Sequence, residues 1–320
     1  MDTLDRKILD ILQKRFPLCV NPWNAVAGEL DITENEVLRR IGTLKNDGVI
    51  RQISPIFDSS KIGYHSTLCA FKVPSDRVEQ TASVLGEHSG ISHCYLRDNS
   101  YNIWFTLTLE KKFSLSDELF ALAQKTSVDS WLDLPAAKVY KISFTLDMSR
   151  KAEKCDKNNS VEETIGELPI DKKFIREVQH DLPVKHDPFE EIAFKLGCTQ
   201  QAIVDKLESC MRTGQIRRFA AILRPLNAGF INNILVAWNP LPCDADTLGN
   251  YAASHSHVSH CYLRQPQPDW PYSVYTMIHG EGEKNCRDII CDIAENTKTS
   301  EYCTLKTCKE FKKVRVVYYS

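Results

Sequence analysis

The feature of this 320-residue sequence that most restricts its fold is an internal repeat. Residues 92–97 and 259–264 are identical, with the sequence Ser-His-Cys-Tyr-Leu-Arg. Shorter matches at nearly the same separation come before them, for example between residues 48–51 and 214–217. Because agreement of this length seldom arises by chance, we predict that the chain holds two copies of one structural unit.

Each copy divides into a helical part and an α/β part. Residues 1–60 and 168–227 show apolar residues at helical spacing before a β-like segment, which predicts a winged helix-turn-helix unit. Residues 61–149 and 228–320 alternate strands and helices in the βαββαβ order of a ferredoxin-like sandwich. Residues 150–167, rich in Lys, Glu, Asn and Ser, predict a linker between copy one and copy two. The expected fold class is therefore α+β, a tandem repeat with pseudo-two-fold symmetry.

Local signals indicate where several elements begin or end. Thr33 followed by Glu36 predicts a capping box at the start of the third helix, and Gly48 predicts the end of that helix. The last strand of each sandwich is expected at residues 137–144 in copy one and 314–319 in copy two. These bounds place one closing strand at the end of each copy.

Composition limits the kind of protein that this chain can be. Hydrophobic residues make up 42% of it and the formal net charge is −2, so it can bury more than one core but has no overall positive field that would attract nucleic acid. The first residues lack the apolar stretch of a signal peptide, and no apolar run reaches the roughly 18 residues that cross a membrane. We therefore expect a cytoplasmic protein without a membrane partner.

The sequence contains 12 cysteines in a scattered arrangement. No Cys-x-x-Cys pair occurs, and the closest pairs are Cys286 with Cys291 and Cys303 with Cys308. This spacing disfavours a zinc or iron–sulfur site and favours reduced thiols that pack as small apolar side chains. A Gly-rich dinucleotide or phosphate loop is also missing from the sequence, so we predict no resident cofactor.

Three polar side chains alternate within the repeated segment. They are His93, Tyr95 and Arg97 in copy one and His260, Tyr262 and Arg264 in copy two. Alternate residues of a β-strand face the same side, so each trio would present an imidazole, a phenol and a cation in a row. Cys94 and Leu96 would then face the core. The exact duplication favours a ligand-binding face, and a solvent-exposed face is the alternative.

Copy two carries further candidates. They are Trp270, Tyr272, His279, Arg217 and Arg218. The two aromatic residues belong to a loop that three prolines make stiff, and the histidine is expected to end the following strand. The arginines lie on the second predicted wing. A strand-end histidine can also be a packing residue, and a pair of wing arginines can simply be solvated.

The predicted recognition helices bear on DNA binding. In copy one, residues 35–45 include three basic side chains, whereas in copy two the charges of residues 201–212 are balanced. A symmetric operator requires two similar reading helices, and a balanced helix offers phosphates little attraction. These differences argue against sequence-specific DNA binding and favour helical parts retained for packing.

A helix-turn-helix unit joined to a βαββαβ unit resembles the Lrp/AsnC family over nearly all of each copy. In that family the α/β units pair sheet to sheet, so two copies in one chain would form an internal pseudo-dimer, and a further homo-oligomer stays open. Residues 216–222, 258–262 and 269–280 are similar to the siroheme decarboxylases, whose Lrp/AsnC-like subunits often work as a pair. The chain resembles both subunits of such a pair fused together.

The resemblance implies a reaction on siroheme. CO2 would leave the acetate side chains on rings C and D to give 12,18-didecarboxysiroheme, in haem or haem d1 biosynthesis. Loss of CO2 leaves carbanion character on the methylene carbon, which a positioned histidine can protonate. The iron belongs to the substrate, and no redox cofactor is required. An Lrp/AsnC-type DNA-binding transcription regulator and a haem or tetrapyrrole sensor without turnover are the alternatives.

The resemblance also implies roles for the candidate residues. His260 and His279 would be proton donors, and one of them could instead be an axial ligand to the substrate iron. The carboxylate-binding residues would be Arg217, Arg218 and Arg264, and the macrocycle would lie against Tyr262, Trp270 and Tyr272. The corresponding residues of copy one are His93, Tyr95, Arg97 and Arg51. Because Gln52 replaces the second wing arginine and Thr108 stands where His279 would be, copy two is expected to supply more of the site.

Overall fold

The computed structural model describes four stretches of the chain, residues 1–142, 169–224, 232–280 and 282–320. The predicted linker, residues 150–167, lies outside the described residues, as do the last two residues of the strand expected at 137–144. The described stretches contain the helical part and the α/β part of both copies.

Copy one begins with its helical part. The elements are helix α1 (Thr3–Lys14), helix α2 (Pro22–Leu30), helix α3 (Glu34–Asn46) and strand β1 (Ile50–Phe57). Thr33 caps α3 as expected, because its hydroxyl accepts a hydrogen bond from the Glu36 amide. The reciprocal half of the capping box is replaced, since the Glu36 carboxylate binds Arg39 and Arg40. Gly48 follows the helix with φ of 70°, a left-handed conformation that glycine adopts readily.

The α/β part of copy one follows. Its elements are strand β2 (Tyr64–Phe71), helix α4 (Val78–Glu87), strand β3 (Ile91–Arg97), strand β4 (Ile103–Glu110), helix α5 (Leu115–Lys125) and strand β5 (Trp131–Ile142). Short 3-10 turns at Ser59–Ile62 and Ser75–Arg77 precede β2 and α4. The order βαββαβ is the one that the sequence predicts.

Copy two repeats both parts. The helical part contains helix α6 (Lys172–Val178), helix α7 (Glu190–Leu196), helix α8 (Gln200–Arg212) and strand β6 (Ile216–Leu223). The α/β part contains strand β7 (Asn232–Trp238), helix α9 (Ala245–Ser254), strand β8 (Val258–Arg264), strand β9 (Val274–Gly280), helix α10 (Glu283–Thr297) and strand β10 (Tyr302–Lys313). The element order matches that of copy one, so the structural repeat is confirmed.

The two helical parts share a small sheet and a core. Strand β1 pairs antiparallel with β6 of the other copy, with Ile53 opposite Ala221. The core beneath takes residues from the helices of both copies, and the rings of Phe16 and Phe219 lie 4.7 Å apart between centroids. Each segment that was expected to be a wing therefore forms part of the contact between the copies.

The eight strands of the two α/β parts close into one antiparallel barrel, in the order β10-β3-β4-β2-β5-β8-β9-β7. The long strands β5 and β10 join the copies, because β5 pairs with β2 and β8 while β10 pairs with β7 and β3. The helices pack outside, and an apolar core that includes Trp104 and Trp270 fills part of the inside. The two α/β parts thus pair within one chain, as in a pseudo-dimer.

The closing strands differ from their predicted positions. Strand β5 begins at Trp131 and not at residue 137. Strand β10 ends at Lys313, so the prediction of a strand at 314–319 was wrong. Residues 302–306 of β10 pair with β7 and residues 307–313 pair with β3, whereas Tyr319 packs into the helical core. In residues 314–319, Tyr318 and Tyr319 pack against the helices, whereas Val314 and Val317 are exposed.

Candidate active site

The duplicated motif faces the inside of the barrel. In copy two, the rings of His260 and Tyr262 stack with centroids 6.1 Å apart, and the Arg264 guanidinium lies over the Tyr262 ring at 5.0 Å. Cys261 between them points the other way, into the core beneath the outer helices. The trio therefore shares one face, as the alternation predicts.

His260 and His279 of copy two belong to one hydrogen-bonded chain of side chains. Ser259 Oγ lies 2.8 Å from His260 Nδ1 and 2.6 Å from His279 Nε2. The other ring nitrogen of His279, Nδ1, is hydrogen-bonded to Asn233 Oδ1. Pairing of β7 with β9 places Asn233 directly opposite His279, and β8 is the neighbour of β9 on its other side. Two candidate proton donors are thus linked through one serine hydroxyl.

Copy one contains only the first link of this chain. Ser92 Oγ lies 2.9 Å from His93 Nδ1, as in the matching pair of copy two. Thr108 occupies the position in β4 that His279 occupies in β9, and it is buried. Copy one therefore places a single imidazole on this face where copy two places two.

The two motif arginines reach across the boundary between the copies. Arg97 Nη1 donates a hydrogen bond of 2.7 Å to the Leu305 carbonyl of β10, and Arg264 Nη1 donates to the Leu134 carbonyl of β5. The Nε atom of each is buried without a hydrogen-bond partner among the described residues. Arg97 as a whole is 5% exposed. Each arginine thus keeps a buried donor that an anion could use.

Burial lowers the pKa of the three inner histidines, His93, His260 and His279, to about 4. Nearby positive groups add to this effect, with Lys313 acting on His93 and His279 and Arg217 acting on His260. The imidazoles are therefore uncharged at neutral pH. A negative ligand beside them would raise their pKa again, because an opposite charge favours the protonated form.

The two wing arginines of copy two point in different directions. The charge of Arg217 reaches His260, and its guanidinium forms an ion pair of 3.1 Å with Asp58. Arg218 Nη1 instead donates to the Gln13 carbonyl of α1 at 3.5 Å. Adjacent residues of a strand face opposite sides, so the structure brings Arg217 but not Arg218 to the motif.

The end of the chain borders the motif of copy one. The Val314 amide donates a 2.8 Å hydrogen bond to the Ser92 carbonyl. Arg51, the counterpart of Arg217, donates to the Lys313 carbonyl at 3.3 Å. The charges of Arg51 and Lys313 both act on the neighbouring histidine. Copy one therefore surrounds its single imidazole with cations and with the chain's own last residues.

The aromatic residues of the proline-rich loop lie in the apolar core. Trp270 is 4% exposed, and its Nε1 donates a 2.7 Å hydrogen bond to Tyr275 Oη. Tyr272 packs on Trp270 with ring centroids 4.9 Å apart. Both residues lie at the Arg264 end of the motif, since the loop leaves β8 there. The sequence predicts that these residues contact a macrocycle, whereas in this structure they pack in the apolar core inside the barrel.

Two surface clefts occur elsewhere. The first, of 470 Å³, is bordered by Arg77 and Asn102, and the second, of 560 Å³, by Asp171 and Lys206. Neither is lined by a histidine or by any residue of the duplicated motif. We assign the candidate site to the motif, because it brings imidazoles and phenols together with two arginines, Arg97 and Arg264, that form no ion pair among the described residues.

Sequence reasoning missed Ser259 and Asn233. A serine precedes the motif histidine in both copies, so the duplication contained a signal. Alternate residues of a strand share a face, so a serine directly next to the histidine is not expected to contact it. The contact of Asn233 with His279 depends on the register between β7 and β9, which the sequence does not specify.

Among the described residues, no group of three or more His, Cys, Asp and Glu side chains comes together in a way that could hold a metal ion. The cysteines in these ranges form no disulfide with one another. No helix in the described part of the chain has the length and apolar character needed to span a membrane.

Comparison with known families accounts for both parts of the repeat. Residues 5–51 and 171–217 match the siroheme decarboxylase NirDL-like HTH domain. Residues 61–141 and 227–312 match the AsnC-like ligand binding domain. Each family thus matches twice, once in each copy.

Individual relatives match the chain over long stretches. A siroheme decarboxylase from Hydrogenobacter thermophilus is 34% identical over 316 residues, which cover 98% of this chain and 94% of that protein. A siroheme decarboxylase alpha subunit from Nitratidesulfovibrio vulgaris is 41% identical over 148 residues, 46% of this chain and 84% of the subunit. The crystal structure of the siroheme decarboxylase NirDL in complex with an iron-uroporphyrin III analogue superposes with a TM-score of 0.78 at 30% identity, and the match covers 99% of this chain and 95% of that one. The chain therefore belongs to the siroheme decarboxylase family, in the form that joins two AsnC-like units in one polypeptide.

Proposed function

We propose that this chain is a carboxy-lyase that removes CO2 from siroheme. The observation that carries the proposal is the inner face of the barrel, where uncharged histidines lie beside Arg97 and Arg264, which have no counter-ion in the described part of the chain. Siroheme is a polycarboxylate with an apolar macrocycle, so its site must provide cations, hydrogen-bond donors and a source of protons. Membership of a family of siroheme decarboxylases supports the same substrate.

Arg264 and Arg217 are the proposed carboxylate ligands in copy two, with Arg97 and Arg51 as their counterparts in copy one. Arg264 and Arg97 form no ion pair among the described residues, and a bound carboxylate would remove the cost of several kcal/mol that a buried cation without a counter-ion carries. Arg217 would instead exchange its ion pair with Asp58 for a substrate carboxylate. Guanidinium groups can also hold a carboxylate through two parallel hydrogen bonds. The unpartnered Nε atom of Arg264 leaves a donor available for such a pair.

The reaction consumes one proton for each CO2 released. The bond between the methylene carbon and the carboxylate breaks, and the electron pair passes into the protonated tetrapyrrole. A proton on the methylene carbon then completes the methyl group, and the tetrapyrrole gives up its own added proton, so that one proton is consumed in all. The substrate carboxylates raise the pKa of His260 and His279, so that neutral bases become proton donors in the bound complex.

The two histidines are proposed to differ in what they touch. His279 uses both ring nitrogens within the protein, on Asn233 and on Ser259. We assign contact with the substrate to His260, because it shares a face with Tyr262 and Arg264, either as the proton donor to the methylene carbon or as an axial ligand of the substrate iron. The acetate side chains on rings C and D are the proposed leaving groups, and the product is 12,18-didecarboxysiroheme. No cofactor besides the iron of the substrate enters this scheme.

Siroheme binding requires the barrel face to open. Arg97 is buried and the other motif side chains are half-buried in this structure, and the apolar core with Trp270 lies beside them. A macrocycle that binds there must separate these side chains and bring its apolar faces against rings such as Tyr262. We propose this movement as part of binding.

A transcription regulator is the competing function, and the helical parts disfavour it. On α3, Arg40 is paired with Asp2, Asp5 and Glu36, and Lys45 is paired with Asp181 of copy two. These ion pairs occupy cations that phosphates would need. We propose that residues 1–60 and 168–227 are winged helix-turn-helix units now used for packing, and that 61–149 and 228–320 are the ferredoxin-like units that hold the site.

The direct test is anaerobic incubation of the purified chain with siroheme, followed by mass spectrometry of the tetrapyrrole. We expect loss of two carboxyl groups as CO2. A sensor without turnover would change the siroheme absorbance on binding but return siroheme with every carboxyl group. A regulator would shift a DNA fragment in a gel across a range of salt concentrations and leave siroheme unchanged.

A further inference from the structure

We propose that Ser259 couples His260 and His279 into one proton-sharing unit, with Asn233 holding the far end of that unit in place. Ser259 and Asn233 are positioning residues in this proposal, because they act through the histidines. The inference rests on the proposed decarboxylation of siroheme for its purpose, but not for its geometry. The contacts that carry it are the three hydrogen bonds from Asn233 to His260.

The acceptor at the far end fixes the direction of every hydrogen bond. Asn233 Oδ1 can only accept, so His279 Nδ1 carries a hydrogen. A neutral imidazole has one N–H, so His279 Nε2 accepts from the Ser259 hydroxyl. That hydroxyl has only one hydrogen, so Ser259 Oγ in turn accepts from His260 Nδ1. In the neutral state of the proton-sharing unit, His260 is therefore the Nδ1–H tautomer, and Nε2 is its basic nitrogen.

The proton-sharing unit can hold one extra proton and deliver it. With the extra proton, His279 is an imidazolium that donates to Asn233 and to Ser259. Ser259 then donates to His260 Nδ1, and His260 carries its hydrogen on Nε2. This arrangement places an acidic N–H at the substrate end of the chain while the positive charge stays on His279, away from the reacting carbon.

Delivery of the proton balances without any further reactant. His260 Nε2 gives its proton to the methylene carbon that has lost CO2. Ser259 passes its hydrogen to His260 Nδ1 and takes one from His279 Nε2. The carbon has gained one proton and His279 has lost its charge. The hydrogen bonds of the proton-sharing unit again have the direction that they have in its neutral state. No electron enters or leaves the protein in these transfers.

Copy one provides the matched control. Ser92 makes the same contact with His93, at 2.9 Å. Thr108 stands where the second imidazole would be, so the contact leads no further. Replacing Ser92 removes an equivalent hydrogen bond from an equivalent strand and leaves the proposed proton-sharing unit intact.

The first test measures the tautomers and needs no substrate. Nitrogen NMR of 15N-histidine-labelled full-length chain, assigned with H260A and H279A, reports which ring nitrogen carries hydrogen. We expect His260 as the Nδ1–H tautomer near neutral pH, a change of the His260 signals in S259A, and no such change in S92A. An Nε2–H tautomer of His260 in the wild type, or an unchanged His260 in S259A, overturns the coupling.

The second test measures turnover of siroheme. S259A should lower kcat at least about tenfold, within the range that proton transfer contributes, while siroheme affinity changes less than about threefold. S259T keeps the hydroxyl and should restore most of kcat, and S92A should stay within about twofold of the wild type. The optimum of kcat against pH should move in S259A, because His260 then titrates without His279.

The outcomes separate this inference from the proposed function. Wild-type kcat in S259A overturns the relay, and so does a loss of kcat that only follows a loss of siroheme binding. If the wild type itself releases no CO2, the proposed function fails, and the NMR result alone then decides whether Ser259 couples the two histidines.

Discussion

Copies one and two carry the same hexapeptide but differ in what stands behind it. In copy two, Ser259 connects two imidazoles, whereas in copy one the matching serine contacts His93 and Thr108 takes the second position. The arginines, by contrast, are equivalent, since each donates to a backbone carbonyl of a strand that joins the copies. The comparison suggests that both copies contribute cations to an anionic ligand, while proton delivery has been concentrated in copy two.

The histidines provide the largest expected difference between the copies. H260A/H279A should lower CO2 release at least about a hundredfold, because general acid catalysis contributes roughly that much or more. H93A should lower it less than about tenfold. The measurement is siroheme carboxyl loss by mass spectrometry, with circular dichroism and siroheme binding as controls for the fold. Equal losses in both variants would contradict the division of labour between the copies.

The arginines should separate binding from stability. R264M removes a buried cation that has no counter-ion, so the unfolding temperature should be unchanged or higher. Siroheme affinity should fall about tenfold or more, since a hydrogen bond to a charged group contributes about 1.5–3 kcal/mol. R97M in copy one should behave alike in stability and lose less affinity. A large drop in the unfolding temperature of R264M, with affinity kept, would make Arg264 a structural residue.

The lowered pKa values of His93, His260 and His279, all about 4, make stability depend on pH. Between about pH 6.5 and pH 4 the unfolded chain binds protons that the folded chain does not, so the free energy of unfolding falls as the pH falls. Each histidine contributes up to about 1.4 kcal/mol per pH unit in this window. Urea unfolding at several pH values measures how much the free energy of unfolding changes per pH unit. H93A should remove the contribution of one histidine from this slope, and H260A/H279A should remove the contributions of two. An unchanged slope in H260A/H279A would place these imidazoles in water.

Proton uptake on ligand binding is the smallest expected effect. A polycarboxylate raises the pKa of the inner histidines, so binding of siroheme near neutral pH should draw in about one proton or more. Isothermal titration in buffers of different ionisation enthalpy measures this number. H260A/H279A should abolish most of the uptake and H93A only part of it. Binding without proton uptake in the wild type would argue against protonated histidines in the bound complex.

The features that depend on neighbouring residues in sequence could be predicted. The repeat, the βαββαβ order and the shared face of His260, Tyr262 and Arg264 all follow from local periodicity, and the structure has them. The cap at Thr33 and the left-handed Gly48 are local in the same way. Local spacing is enough for these because it fixes which side of an element a residue faces.

The features that depend on contact between distant segments could not be predicted from the sequence. The pairing of β1 with β6 turns Arg218 toward the helical core, and nothing near that residue in sequence indicates the partner strand. Tyr318 and Tyr319 pack among helices, although the segment after Lys313 is apolar enough for a strand. Trp270 enters the core between the sheets because the copies enclose a common interior. Such placements are decided by how the two copies meet.

A crystal structure of the chain with bound siroheme, or with a tetrapyrrole that cannot lose CO2, would examine the proposed site itself. We expect the macrocycle inside the barrel, with carboxylates on Arg264 and Arg217 and an acetate side chain beside His260 Nε2. A macrocycle seated instead in one of the two surface clefts, or among the helices near Arg218, would contradict the assignment of catalysis to the second motif.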